Sequence, residues 1–201
     1  MIPQIIGLTG QTGAGKSTVS QALREAGFAV IDCDRLAHQV TDSDPACISA
    51  LTAAFSPKIL TADGRLDRKA LGAIVFSDPV ALQTLNDTIF PFIRSRMMQE
   101  ISRLAADGAD RIILDAPTLF ESGTDSLCER IVAVTADEEV RRKRIMKRDG
   151  ISADAAQKRI DSQLSEEYFR AHADEILENN GSDGELTAAI SRLISALQEG
   201  P

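Results

Sequence analysis

The chain has 201 residues, 43% of them hydrophobic and 26% charged, with a net charge of −8. That is enough for one globular domain burying roughly 70% of the surface its unfolded form exposes. The acidic balance excludes sequence-independent binding to nucleic acid or to an anionic membrane surface, and no apolar run approaches the ~20 residues of a membrane span.

The first predicted element is a strand over 3–9 (PQIIGLT), which runs into GLTGQTGAGKST at residues 7–18. Gly10, Gly15, Lys16 and Ser17 fit G-x-x-x-x-G-K-[ST]. The chemistry needs these types at this spacing. Glycines let successive backbone N–H groups turn into one cavity. A following helix adds its free N–H groups and the positive end of its dipole. Lys16 is expected on the β- and γ-phosphates, the Ser17 hydroxyl on Mg²⁺, and Thr18 towards the α-phosphate. The helix, Lys16 to Ala26, ends at Gly27.

A second strand, 28–32, leads into two carboxylates, Asp32 and Asp34. Read as an extended segment, it projects both to the same side. One is a candidate base for a hydroxyl attacking the γ-phosphate; the other would hold Mg²⁺ or orient the acceptor. The alternative is that they cap the next helix. Cys33, Cys47 and Cys128 are widely spaced with no CxxC, which predicts reduced thiols in a cytosolic protein, with Cys33 a small core residue. The glycine-rich loop opens within the first ten residues with no basic stretch before it, so no cleaved signal peptide is expected.

Residues 34–110 hold no convincing strand. Their pattern is helical at about 34–41, 45–55, 67–76 and 79–106, with a turn at Ala62-Asp63-Gly64-Arg65. This reads as a helical insertion. Further strands follow at 111–115 and 130–135, with a weaker one at 175–179, and helices at 137–149, 152–163 and 184–198. Near-continuous apolar strands alternating with helices imply an α/β fold with a parallel sheet covered on both faces.

Asp115 ends the third of these strands, as the carboxylate of a Walker-B strand does, near Mg²⁺ or the acceptor. The run EEVRRKRIMKRDG at 138–150 gathers six cations. Arg144 and Arg148 stand one helical turn apart and project together, the arrangement of an arginine-bearing lid that neutralises a transferring phosphoryl group. Lys143 and Lys147 read as solvated. His38 and His172 lack metal-ligand spacing and read as surface or packing residues.

A regulatory GTPase would add N-K-x-D and D-x-x-G motifs, and neither occurs in a suitable position. The residues leave three readings open: a small-molecule kinase, a nucleoside- or nucleotide-monophosphate kinase, and a nucleotide sensor without turnover. The order of segments sharpens this. GLTGQTGAGKSTV, VIDCDRLAHQV, DGRLDRKALGAIVF, LNDTIFPFI, ILDAPTLFE, RRKRIMKRDG, RIDSQLSEE and ADEILENNGS fall as they do in dephospho-CoA kinases, a resemblance covering about residues 4–190. It implies a P-loop kinase fold, a three-layer sandwich with a five-stranded parallel sheet. Residues 1–201 would form one kinase domain, with a helical CoA-side insertion at 35–105 and a lid region at 138–165.

The implied reaction is phosphorylation of the ribose 3′-hydroxyl of dephospho-CoA by ATP with Mg²⁺, the last step of coenzyme A biosynthesis. By position, Gly13, Ala14, Gly15, Lys16, Ser17 and Thr18 bind ATP phosphates, Arg144 and Arg148 belong to the lid, and Lys16 and Arg144 join the catalytic set. Asp34 is the base, supported by Asp32. Arg65, Asn86, Pro91, Asp115, Pro117 and Glu121 fall on acceptor-side motifs. The chain departs from the family pattern at Phe90, where histidine is common, at Thr118 for leucine, and at Arg141 for glutamine. It also lacks a lysine in QLSEEYFR, where Arg170 is the nearest substitute.

Overall fold

A computed structural model of the chain describes residues 2–75 and 77–199. In chain order the elements are β1 (Gln4–Gly10), α1 (Lys16–Glu25), β2 (Ala29–Asp32), α2 (Cys33–Ser43), α3 (Pro45–Phe55), α4 (Arg68–Val75) and α5 (Pro79–Ala106). Then come β3 (Arg111–Asp115), β4 (Arg130–Thr135), α6 (Glu138–Asp149), α7 (Ala153–Asp161), α8 (Glu166–His172), β5 (Glu175–Glu178) and α9 (Asp183–Glu199). Short 3₁₀ turns lie at Pro57–Ile59 and Thr124–Leu127.

The five strands form one parallel sheet in the order β2-β3-β1-β4-β5, and helices cover both faces, as the sequence predicts for an α/β sandwich. The chain divides into two compact units, Met1–Ile31 with Asp107–Pro201, and Asp32–Ala106.

In the first unit β1, β3 and β4 are buried almost end to end, which is why they read as unbroken apolar runs. On one face Ile6, Leu8, Ile113, Val132 and Val134 pack with Val19 and Leu23 of α1 and with Ile190, Leu193 and Leu197 of α9. On the other face Gly7 of β1 lies against Leu119 and Cys128. A Cβ there would sit 2.7 Å from Leu119 Cδ2 and 3.0 Å from Cys128 Sγ, so the strand needs glycine to admit that layer.

In the second unit α2, α3 and α4 pack on the long α5. Each helix start has a carboxylate cap. Asp44 accepts from the N–H of Ala46 and Cys47, Asp67 from Lys69 and Ala70, and Asp78 from Val80. Pro45 and Pro79 open α3 and α5, where a missing N–H costs nothing. Arg68 Nη2 donates to Thr41 Oγ1 and Asp42 Oδ1, each at 2.7 Å, and ties α4 to α2.

Two readings change. The segment after β2 is not extended: α2 begins at Cys33, so Asp32 and Asp34 do not share one side of a strand. An additional helix, α8, fills a stretch with no predicted element. The predicted end of the fourth helix at Phe76, and residues 1, 200 and 201 of the expected 1–201 domain, lie outside the described residues. Among the described residues no helix is long and apolar enough to cross a membrane.

Candidate active site

The loop between β1 and α1 bends through left-handed conformations at Gly13 (φ 78°) and Gly15 (φ 101°), which other residues rarely adopt. Space adds a second constraint. A Cβ on Gly13 would lie 2.9 Å from the Arg141 carbonyl oxygen, and one on Gly15 would lie 2.5 Å from Asn179 Nδ2. The loop is therefore pressed from outside by α6 and by the residue following β5. Side chains also hold its backbone: Gln163 Oε1 accepts from Thr12 N–H at 2.7 Å, and Asn179 Nδ2 donates to the Ala14 carbonyl at 2.7 Å.

Helix α1 starts with Lys16, Ser17 and Thr18 and has no acidic residue in its first turn, so its positive end is left for an anion. Ser17 and Thr18 are exposed. Lys16 Nζ pairs with Asp115 at the end of β3. Ser20, one turn further along α1, donates to the other oxygen of Asp115 at 2.5 Å, and Arg24 Nη2 stands 3.9 Å away. Asp115 is only 7% exposed, so the lysine at the mouth of the loop answers a buried charge. The strand-ending carboxylate thus meets the loop lysine directly.

The two arginines expected on a lid, Arg144 and Arg148, are held differently. Arg144 Nη1 donates to the carbonyls of Asn179 (3.0 Å) and Gly13 (3.4 Å), and its Nη2 to Asn179 Oδ1 (3.3 Å), which fixes it on the back of the loop. Arg148 is exposed and makes a two-point contact with Asp149 at 2.7 and 2.8 Å. Arg159 also pairs with Asp149, and these hydrogen bonds and charges hold the Asp149 carboxyl below its ordinary value. Helices α6 and α7 share a small core of their own, Ile145, Ala156 and Ile160. Arg141, where the resemblance leads one to expect glutamine, is 5% exposed. Its Nε donates to the Ala136 carbonyl at 2.9 Å, and burial lowers the affinity of its guanidinium for its proton. Lys143 is an exposed partner of Glu139.

Asp32 Oδ1 accepts from Arg35 N–H at 2.9 Å and caps α2, so the capping alternative describes it. Asp34 lies exposed in the first turn of α2. Also in the helical unit, Arg65 is exposed beside Asp63 at 3.2 Å, Asn86 is half-buried on α5, and Pro91 is exposed inside α5. In the sheet unit the Pro117 carbonyl accepts from Thr9 Oγ1 at 3.4 Å, and Glu121 is exposed. Cys33 and Cys47 are buried, and His172 stacks on Tyr168 with ring centroids 3.9 Å apart. Three neighbours of the loop were not singled out in the sequence, Ser20, Arg24 and Gln163; Asn179 stands in the ADEILENNGS segment that carries the resemblance, with no role attached to it there. Only Ser20 and Arg24 had a local signal, since they continue the Lys16 face of α1 at helical spacing.

A profile of the dephospho-CoA kinase family matches residues 4–185. A dephospho-CoA kinase of Anaeromyxobacter dehalogenans is 38% identical over 98% of this chain and 93% of its own length. One of Arabidopsis thaliana is 37% identical over 95% and 82%. Among solved structures, dephospho-CoA kinase from Campylobacter jejuni superposes with a TM-score of 0.74 at 29% identity, covering 98% of each chain. A Bacteroides thetaiotaomicron shikimate kinase, at 16% identity and a TM-score of 0.53 over 97% of this chain and 98% of its own, shares the fold. With a donor loop built as described and a match spanning nearly its whole length, this chain belongs to the dephospho-CoA kinase family.

Proposed function

We propose that this protein transfers the γ-phosphoryl group of ATP to the ribose 3′-hydroxyl of dephospho-CoA, giving coenzyme A and ADP, the final step of coenzyme A biosynthesis. The observation that carries this is the family match over residues 4–185 laid on an intact donor loop, with Lys16 anchored at Asp115.

The segment Gly13 to Thr18 receives the ATP phosphates, with the Gly15 N–H among its donors, and Lys16 neutralises the β- and γ-oxygens. Arg144 adds fixed charge behind the loop, and Arg148 is the exposed cation available to a closing lid. The Ser17 hydroxyl, with the Asp115 carboxylate behind Lys16, fits Mg²⁺, which prefers oxygen donors and keeps most of its shell as water and phosphate. When bound, Mg²⁺ draws charge from the phosphate oxygens. Among the described residues no cluster of three His, Cys, Asp or Glu side chains forms a metal site, which suits an ion that arrives with its nucleotide.

Asp34, on the helical unit, is assigned the general base by its place in the D-x-D motif. It takes the hydroxyl proton as the new O–P bond forms and the bond to ADP breaks. Asp32 positions this turn through its cap on α2. Arg65, Asn86, Pro91, Pro117 and Glu121 are assigned to the acceptor side. The test is ADP release from Mg-ATP with and without dephospho-CoA, the product weighed by mass spectrometry. Release that depends on dephospho-CoA with one phosphate gained supports the reading. Release that instead follows AMP or uridine overturns it.

A further inference from the structure

We infer that Asn179 is a positioning residue for the donor phosphates: it sets the direction of the Gly15 N–H and the place of Arg144. This rests on the P-loop kinase reading above and deepens it.

Asn179 follows β5 and is 6% exposed. Its own N–H donates to the Thr135 carbonyl at 2.9 Å, which seats it at the end of β4. Its neighbour Asn180 receives the Asp137 N–H at 2.6 Å and donates to Asp137 Oδ1 at 2.8 Å, fastening the residue that precedes α6. The backbone of Asn179 is thus fixed before its side chain is considered.

Both ends of the amide are then used. Nδ2 donates to the Ala14 carbonyl at 2.7 Å, and Oδ1 accepts from Arg144 Nη2 at 3.3 Å. The reverse orientation would set the NH₂ against a guanidinium and the oxygen against a carbonyl, so the amide has one orientation. In a trans peptide the C=O of one residue and the N–H of the next point opposite ways. Holding the Ala14 carbonyl outward on Asn179 turns the Gly15 N–H inward, to the side where a loop of this kind meets phosphate. Ala14 N–H cannot serve there, because it donates to the Gln11 carbonyl at 3.0 Å. Arg144, bonded to Asn179 at both Oδ1 and the main-chain oxygen, also reaches the Gly13 carbonyl at 3.4 Å. Two consecutive carbonyls of the loop are therefore held by two side chains that hold each other.

The test uses Asn179→Asp and Asn179→Ala in the full-length chain, with Leu193→Ala in the core of α9 as a variant destabilised elsewhere. ATP and ADP affinities are measured by calorimetry without acceptor, beside Tm and the amide spectrum of ¹⁵N-labelled protein. Asn179→Asp keeps a partner for Arg144 and sets a carboxylate against the Ala14 carbonyl. Both Asn179 variants should weaken ATP and ADP by about tenfold or more, the scale of a lost charge-assisted hydrogen bond. Leu193→Ala should lower Tm and leave both affinities within about twofold of wild type. The Gly15 amide proton should move downfield with ADP in wild type and not in Asn179→Asp. An Asn179→Asp protein that binds ATP within twofold of wild type, with the Gly15 shift retained, overturns the inference. So would a loss of affinity in Leu193→Ala equal to that in the Asn179 variants. Failure of the kinase reading shows separately, as absence of dephospho-CoA-dependent ADP release by wild type.

Discussion

Replacing Lys16 by methionine removes one charge from a nearly buried pair and keeps the aliphatic stem. The Asp115 side chain, 9% exposed, would be left with the Ser20 hydroxyl at 2.5 Å and Arg24 at 3.9 Å, itself 37% exposed. Removing one partner from a fully buried pair costs roughly 3–5 kcal/mol. Here the Lys16 side chain keeps 18% exposure and Ser20 still donates, which lowers the cost to about 2 kcal/mol. For a chain of this length that is a fall in Tm of about 4–8 °C. Adding Asp115→Asn removes the stranded charge and keeps an acceptor for Ser20. The double variant should therefore regain part of the loss, with a coupling of about 1–2 kcal/mol in the four-protein cycle. Turnover should not follow Tm: both Lys16 variants lose about 10²–10³ or more in rate, because the transferring phosphoryl group lacks its cation. Circular dichroism melts and the ADP-release assay read the two effects apart. A Lys16→Met protein melting with wild type, or a double variant falling by the sum of the singles, would refute the energetic account of the pair. Wild-type turnover in Lys16→Met would refute the assignment of the loop.

Asp34→Asn should lower turnover by roughly 10²–10⁴ with ATP affinity kept, read from kcat and a nucleotide titration. Pro91 withholds a hydrogen bond inside α5, so Pro91→Ala should raise stability to urea by about 1 kcal/mol. If Pro91 also shapes the acceptor side, the KM for dephospho-CoA rises in the same protein. Burial, helped by Asp125, pushes the Cys128 thiol from 9.0 up to about 12, so it stays protonated in the fold where the unfolded chain has lost the proton. Its contribution to stability is complete below about pH 9 and falls as pH rises towards 12, a slope that Cys128→Ala should remove from pH-dependent melts. The same thiol should react slowly with a disulfide reagent at pH 8 until the protein is unfolded.

Most of the fold was legible because period and punctuation agreed. The strands at 111–115 and 130–135 carry unbroken apolar runs, and the long helix at 79–106 opens on Asp78-Pro79. Helix α8 was missed because its seven residues are too few to show a period. Its start signal was present, since Ser165 accepts from Tyr168 N–H at 3.2 Å and two glutamates follow. The Asp32-Cys33-Asp34 turn was misread because a strand and a helix abut there without a loop. Loop glycines and Lys16 announce phosphate through local spacing. Gln163 does not, and Asn179 belongs to a recognisable segment, ADEILENNGS, whose spacing does not say what an amide far along the chain will hold.

The nucleotide cradle is synthesised well before the groups that hold it, which lie 131 to 165 residues further along the chain. Thr12, Gly13 and Ala14 wait for Gln163, Arg144 and Asn179. At ordinary elongation rates that delay is on the order of ten seconds. During that time the glycine-rich segment is a flexible tether without its outer supports. A nascent chain stopped before β5 should therefore be blind to ATP, and nucleotide cannot serve as an early folding template. Binding competence arrives when β5 docks on β4 and brings Asn179 to the Ala14 carbonyl.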